Sequence, residues 1–201
     1  MTVTVLRGSQ TRIAVILFNL GGPDRPEAIE PFLFNLFNDR AIIDLPGPLR
    51  WLVARLASRR RAPIARQIYG KIGGRSPILR NTQAQAEALA ARLTDLGDVK
   101  VWPCMRYWHP LTQEVAREVA AFQPNRIVLV PLYPQFSTTT TATSLKAWSQ
   151  AARTMGIAAP TQMVCCYPTE PGFITALAAL VEDGLRTAGS RPTLVLFSAH
   201  G

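Results

Sequence analysis

Cysteine and histidine are scarce in this sequence of 201 residues, which has three cysteines and two histidines. The cysteines, Cys104, Cys165 and Cys166, are too few and too unevenly spaced for a disulfide framework or a CxxC metal site. No apolar run approaches the ~18 residues of a membrane-spanning helix, and the first residues lack the apolar core of a signal peptide. The sequence therefore predicts a cytoplasmic protein from a reducing compartment, stabilised by a hydrophobic core.

Acidic residues are missing from a long central stretch. Between Asp44 and Glu87 the chain carries nine basic residues and no aspartate or glutamate. The net charge of the whole chain is +9, so the remaining sequence is electrically balanced. A segment of this kind predicts an anionic partner, with a solvated basic surface as the alternative. No nucleic-acid-binding motif accompanies it, and nucleic acid is not expected as the partner.

Short apolar runs predict the strands of a parallel sheet. The runs are rich in Val, Ile and Leu and mostly do not alternate with polar residues, which favours strands buried on both faces. Helical patterns separate the later runs, and this order predicts an α/β doubly wound fold. The predicted strands are 13–18, 99–104, 127–132, 163–166 and 194–197.

The first connection in this pattern is unusually long. Roughly 80 residues separate the first two runs, where a crossover needs about a dozen. An insertion of this length is usually functional, and it contains the basic stretch. The predicted helices are 28–38, 49–56, 81–96, 112–122, 144–155 and 171–185.

Four loops that follow predicted strands carry the polar and aromatic residues. Because the carboxyl ends of parallel strands meet at one edge of a sheet, we expect these loops to form a cleft. The sequence contains no GxGxxG or GxxxxGK[ST] motif, which argues against a nucleotide. Asp24 is the only acidic residue in the four loops, so the cleft suits a planar, apolar, anionic ligand. The loops are NLGGPD (19–24), MRYWHP (105–110), YPQFSTTT (133–140) and SAHG (198–201).

The two histidines differ in their surroundings. His200 follows the last predicted strand, where an imidazole can bind a metal or transfer a proton, and a structural role is the alternative. His109 lies in MRYWHP and is followed by Pro110, which fits a structural role better.

The motifs, in their order and spacing, resemble those of ferrochelatases. The matching segments are NLGGP, Tyr69-x-x-x-Gly73-Gly74-x-Ser76-Pro77, MRYWHP, YPQFS and SAHG. The resemblance implies a lyase of haem biosynthesis that inserts Fe²⁺ into protoporphyrin IX. It also implies the chelatase-like, Rossmann-type fold of two α/β domains. We expect an N-terminal extension at 1–11, a first domain at 12–159 and the start of a second, incomplete domain at 160–201.

The resemblance assigns roles to individual residues. His200 is implied as the catalytic residue, either as an iron ligand or as the acceptor of pyrrole protons. Arg106 and Tyr107 are implied to line the porphyrin pocket near the path of the iron. The segment 46–80, called the lip below, is implied to cover the active site. The residues themselves predict the membrane contact: the part from Pro48 to Arg66 combines apolar and arginine side chains, and we expect it to touch a membrane surface peripherally. Contacts with the macrocycle or its propionates are implied for Leu20, Arg61, Tyr69, Ser76 and Tyr133.

The sequence also departs from the family pattern. It stops one residue after His200, where family members continue and carry a glutamate that faces this histidine, so we expect an N-terminal fragment. Thr138 replaces a cysteine that holds a [2Fe–2S] cluster in some members. No cluster is therefore expected, and Fe²⁺ is a substrate. A non-catalytic porphyrin-binding remnant and a related chelatase for another metal or tetrapyrrole are the alternatives.

Overall fold

A parallel sheet of four strands forms the centre of the first part of the chain in the computed structural model. Its strands are β1 (Arg12–Asn19), β2 (Asp98–Met105), β3 (Arg126–Pro131) and β4 (Thr161–Met163). They lie in the order β2-β1-β3-β4, and every neighbouring pair is parallel. The parallel sheet predicted from the apolar runs is therefore confirmed.

The structure describes residues 11–197, and the chain divides into the units Met1–Cys165 and Cys166–Gly201. The first unit contains the sheet and five of the α-helices, and the second contains α6 (Pro171–Ala188). The helices of the first unit are α1 (Ile29–Phe37), α2 (Gly47–Gly70), α3 (Ile78–Arg92), α4 (Thr112–Phe122) and α5 (Thr141–Thr154).

The hydrophobic core lies on both faces of β1. Ile16 and Phe18 point to one face, where they pack with residues of α4 and α5. Val15 and Leu17 point to the other face, where they pack with Ala86 of α3. All four strand residues are at most 3% exposed. Successive side chains of a strand point to opposite faces of the sheet. In a strand covered on both faces all of them are buried, and its sequence is a continuous apolar run.

The fourth and fifth predicted strands differ from the structure. β4 covers residues 161–163 rather than 163–166, and its three residues are exposed because it lies at the edge of the sheet. The run 194–197 forms no strand, and Leu196 and Phe197 are 83% and 86% exposed. The described residues of its own unit provide no strand with which its backbone groups could pair.

Helix α2 is much longer than predicted. The sequence indicates a helix at 49–56, whereas α2 runs for 24 residues and passes through Pro63. Ala54, Ser58 and Ala62 recur every four residues and are buried, which allows α2 to pack against α1. The helix continues past Pro63, although a proline ring costs a backbone hydrogen bond.

The cysteines fall into two groups. Cys104 is a buried free thiol whose Sγ donates to Thr112 Oγ1 at 3.7 Å. Burial raises the pKa of Cys104 to about 12, so the thiol is unreactive at neutral pH. Cys165 and Cys166 are disulfide-bonded, a state that the small number of cysteines did not predict.

Candidate active site

The loops after β1 and β2 meet at the carboxyl edge of the sheet. The backbone N–H of Arg106 donates to Asn19 O at 2.9 Å, and that of Tyr107 donates to Leu20 O at 3.0 Å. Leu20 packs with the buried side chains of Tyr107 and Trp108. Backbone pairing thus continues past the two strands and brings Leu20, Arg106 and Tyr107 together, as the positions of the two loops predict.

The turn that carries Ser76 joins this junction from the long insertion. The N–H of Ser76 donates to Pro23 O at 2.7 Å. A Cβ on Gly22 would lie 2.6 Å from Ser76 Cβ, so only glycine allows this approach of the two turns. The sequence predicted the turn at 19–24 for the cleft, and the resemblance implied a ligand contact for Ser76, but the direct contact of the two turns is a finding of the structure.

Tyr69 and Arg61 lie on α2 at different distances from the Ser76 turn. Tyr69 O accepts a hydrogen bond from Gly74 N at 2.8 Å, which ties the end of α2 to the turn. Burial raises the pKa of the half-buried Tyr69 phenol. Arg61 is exposed two helical turns earlier and forms no hydrogen bond or ion pair with the described residues. The structure therefore links Tyr69 to Ser76 and leaves Arg61 unpaired.

Tyr133 follows β3 and approaches Tyr107. The preceding Leu132 N–H donates to Phe18 O at 2.9 Å, which holds this loop at the same edge of the sheet. The pKa of Tyr133 is raised first by burial and second by Tyr107. The hydroxyl of Ser144 opposes this rise, and among residues 11–197 neither Tyr133 Oη nor Ser144 Oγ, both buried, has any other hydrogen-bond partner. Both are polar groups that a ligand can use.

Asp39 was not predicted from the sequence, yet its carboxylate lies at this site. Asp39 Oδ2 accepts hydrogen bonds from Arg106 Nη2 and from Tyr107 Oη, the latter at 3.1 Å. Asp24 remains the only acidic residue of the four loops, and Asp39 adds a carboxylate to the site from outside them. Asp39 comes from the loop after α1 rather than from a loop after a strand, and its charge was the only signal in the sequence. Burial raises the pKa of Tyr107, and Asp39 raises it further.

A cavity of about 940 Å³ opens beside Arg106 in the first unit. Of the predicted site residues that the structure describes, only Arg106 lines this cavity, and Thr138 is also part of its wall. Its charged residues carry both signs, which gives the cavity a nearly balanced lining. They are Asp39, Arg40, Asp44, Arg106 and Lys146.

The predicted catalytic residue, His200, lies outside the described residues. His109 is exposed, and its Nδ1 lies 2.8 Å from Glu114 Oε1 at the start of α4. Glu114 also accepts from Leu111 N at 2.7 Å, so His109 supports a helix cap. Across residues 11–197, no group of three or more His, Cys, Asp or Glu side chains could hold a metal ion.

The basic residues of α2 differ in their partners. Arg50 donates to Asn38 O at 2.9 Å and to Leu45 O at 2.8 Å, so it binds the end of α1 and the next loop. Arg55 and Arg59 each lie 3.8 Å from Glu30. Arg60, like Arg61, is exposed and forms no ion pair within the described part of the chain. Within that part, no helix combines the length and the apolar composition that crossing a membrane requires.

Comparison with known proteins identifies related sequences over nearly the whole chain. The ferrochelatase family model matches residues 12–201. The chain is 50% identical to the ferrochelatase of Caulobacter vibrioides (strain NA1000 / CB15N), with 94% of this chain and 55% of the relative covered. The ferrochelatase of Phenylobacterium zucineum is also 50% identical, with coverage of 94% and 56%. That of Rickettsia bellii (strain OSU 85-389) is 45% identical, with coverage of 96% and 53%. The chain thus spans about half the length of the curated relatives it matches.

Proposed function

This chain belongs to the ferrochelatase family, and we propose that it forms the N-terminal part of an enzyme that inserts Fe²⁺ into protoporphyrin IX to make haem b. The family match over residues 12–201 carries the proposal. The junction of Leu20, Ser76, Arg106 and Tyr107 at one edge of the sheet supports it. Fe²⁺ and the porphyrin are both substrates, and we expect no [2Fe–2S] cluster or other resident cofactor.

The proposed reaction requires an acceptor for the two pyrrole protons and a distorted macrocycle. His200 is our candidate for the acceptor or for an iron ligand, because a neutral imidazole does either at neutral pH. Leu20 and the aromatic rings of Tyr107 and Tyr133 are the proposed contacts of the macrocycle. Binding energy from such contacts would bend the ring toward the transition state.

The propionates of the porphyrin are the proposed ligands of the lip. Arg61 is exposed and has no partner within residues 11–197, and it is available for a charge-assisted bond to a carboxylate. Ser76 and Tyr69 are hydroxyl donors tied together through the turn at Gly74. We assign the three side chains to the propionates.

The test of the function compares two proteins. One is the 201-residue chain, and the other is a chimera in which the chain is continued by the C-terminal part of the Caulobacter vibrioides relative. Under anaerobic conditions with Fe²⁺, we expect the chimera to convert protoporphyrin, which is measured as a loss of porphyrin fluorescence. We expect little or no turnover from the chain alone.

Arg61→Ala should weaken porphyrin binding about tenfold, because a hydrogen bond to a charged group contributes about 1.5–3 kcal/mol.

Arg60→Ala is the matched control for Arg61→Ala. Arg60 is adjacent, exposed and without an ion pair among the residues that the structure describes, whereas Arg59 lies near Glu30 and is a poorer control. Equal porphyrin affinity of the two variants would remove the propionate role of Arg61. An inactive chimera, assayed beside an active full-length relative, would contradict the proposed function.

We also propose that the protein is cytoplasmic and that the lip contacts a membrane surface peripherally. Apolar side chains on α2 are about half exposed, namely Leu49, Trp51, Leu52 and Leu56. The unpaired Arg60 and Arg61 follow them on the same helix. Apolar area together with basic charge is the combination that holds helices at anionic bilayers.

Vesicle binding of the 201-residue chain tests this contact. We expect co-sedimentation with phosphatidylglycerol vesicles at low salt, with a loss at high salt, because each basic residue near an anionic surface contributes about 1 kcal/mol. Leu52→Asn should reduce binding. Leu180→Asn, which alters an exposed leucine of α6, should not. Equal effects of the two substitutions would assign vesicle binding to general hydrophobicity rather than to the lip.

A further inference from the structure

Asp39 connects the loop after α1 to the loop after β2 through one carboxylate oxygen. Its Oδ2 accepts from both Arg106 Nη2 and Tyr107 Oη, residues nearly 70 positions later in the chain. The Asp39 side chain is only 8% exposed, and that of Arg106 is 25% exposed. An ion pair with this burial is screened less by solvent than the exposed Arg40–Asp44 pair of the same loop.

The carboxylate is held in place from its own side. Asp39 Oδ1 accepts from Ala41 N at 2.9 Å, and Asp39 O accepts from the N–H groups of Ile42 and Ile43, both at 3.0 Å. The two oxygens of the carboxylate thus bind different groups. One stabilises the turn that follows α1, and the other receives the guanidinium and the phenol.

The partners of Asp39 are held as well. Asn35 Nδ2 donates to Tyr107 O at 3.1 Å, and the guanidinium of Arg106 lies 5.1 Å from the centre of the Tyr107 ring. Arg106 Nε is a buried atom that has no hydrogen-bond partner among residues 11–197. Asp39 therefore occupies one edge of the guanidinium, while another donor of the same group stays unused beside the cavity.

Charge is the reason why this arrangement matters for the reaction. A guanidinium is always protonated, and an unpaired one would repel an approaching dication. A neighbouring carboxylate cancels that charge and keeps the donors in position. We propose that Asp39 is a positioning residue of the chelatase, which holds Arg106 and Tyr107 and neutralises Arg106 so that Fe²⁺ can pass it. This inference rests on the proposed function.

The test measures iron and porphyrin separately in the chimera. Asp39→Asn keeps the shape of the side chain and removes its charge. We expect the KM for Fe²⁺ to rise about tenfold, because the local charge becomes positive, while porphyrin affinity stays close to that of the unsubstituted chimera. The double variant Asp39→Asn, Arg106→Gln removes both charges and should bring the KM for Fe²⁺ back down.

Asp44→Asn is the matched control. Asp44 lies in the same loop and lines the same cavity, but it is exposed and pairs with Arg40 at 2.9 Å rather than with Arg106. Its substitution removes the same charge and should leave the KM for Fe²⁺ unchanged. Equal increases in the two single variants, or no recovery in the double variant, would overturn the proposal. If Asp39→Asn does not fold, Arg106→Gln is measured alone. Because this variant removes the positive charge, its KM for Fe²⁺ should not rise, and a tenfold rise would overturn the proposal.

A second measurement on the 201-residue chain separates this inference from the proposed function. Phenylglyoxal modifies free guanidinium groups, and mass spectrometry of the peptides reports the rate at each arginine. Asp39→Asn should accelerate modification of Arg106 and leave the exposed Arg126 unchanged as an internal control. An unchanged rate at Arg106 would overturn the positioning role. An inactive chimera combined with a faster rate at Arg106 would place the failure in the proposed function.

Discussion

His200→Ala in the chimera is expected to reduce iron insertion by about a hundredfold or more, while porphyrin binding remains. The size follows from general base catalysis, to which a positioned side chain contributes about 10²–10⁴-fold. His200 is assigned from its place after an apolar run in LVLFSAH and from the resemblance of the SAHG segment. Removal of the imidazole would leave the macrocycle contacts intact, because those are assigned to other residues.

Two assays separate binding from chemistry for this substitution. A titration in the visible band of the porphyrin measures affinity, and fluorescence loss with Fe²⁺ measures turnover. His109→Ala is the control, since His109 is the other histidine of the chain and contacts Glu114 at the start of α4. Turnover in His200→Ala that equals the turnover of His109→Ala would show that His200 has a structural role.

Phe18→Ala is expected to lower the free energy of unfolding of the 201-residue chain by about 3–5 kcal/mol. Phe18 lies in the central strand β1 and is 1% exposed. Its ring packs edge to face against Trp148 of α5, with 6.2 Å between the ring centres. Truncation removes this contact and leaves a cavity between the sheet and the helix, which close packing around it cannot fill.

Urea unfolding followed by circular dichroism measures the effect. Phe136→Ala is the matched control, because the Phe136 ring is 54% exposed and its loss should change the free energy by no more than about 0.5 kcal/mol. A cost below about 1 kcal/mol for Phe18→Ala would contradict the packing of β1 against α5. The pair of variants therefore tests the core on which the loops of the candidate site are built.

Three strands of the central sheet were predictable because burial requires runs of consecutive apolar residues in the sequence. β1, β2 and β3 each lie within two residues of the predicted runs. The inner strands β1 and β3 carry apolar side chains on both faces, and the edge strand β2 is apolar because most of its residues are at least partly buried. The edge strand β4 has exposed residues and lacks a buried apolar run, so its predicted bounds were wrong. The meeting of the loops after β1 and β2 followed from parallel topology alone.

Local patterns were less informative for the insertion. α2 buries Ala54, Ser58 and Ala62, packs against α1 and continues past Pro63, and the sequence around this proline does not reveal the helix's length. Gly22 and Ser76 are in contact although more than fifty residues separate them. Small residues that allow close approach have no periodic signature, so these contacts became visible only in the folded chain.

The amino-acid pattern alone determined the parallel α/β architecture, the loops at its carboxyl edge and the resemblance to ferrochelatases. These features are carried by continuous apolar runs and by motifs in which every residue is close in sequence. The pairing of Asp39 with Arg106 and Tyr107 was decided by the tertiary structure. Charge attraction acts through space, so it leaves no pattern in the sequence. The Asp39 carboxylate can pair with Arg106 only when the folded chain brings the loops after α1 and β2 to one edge of the sheet.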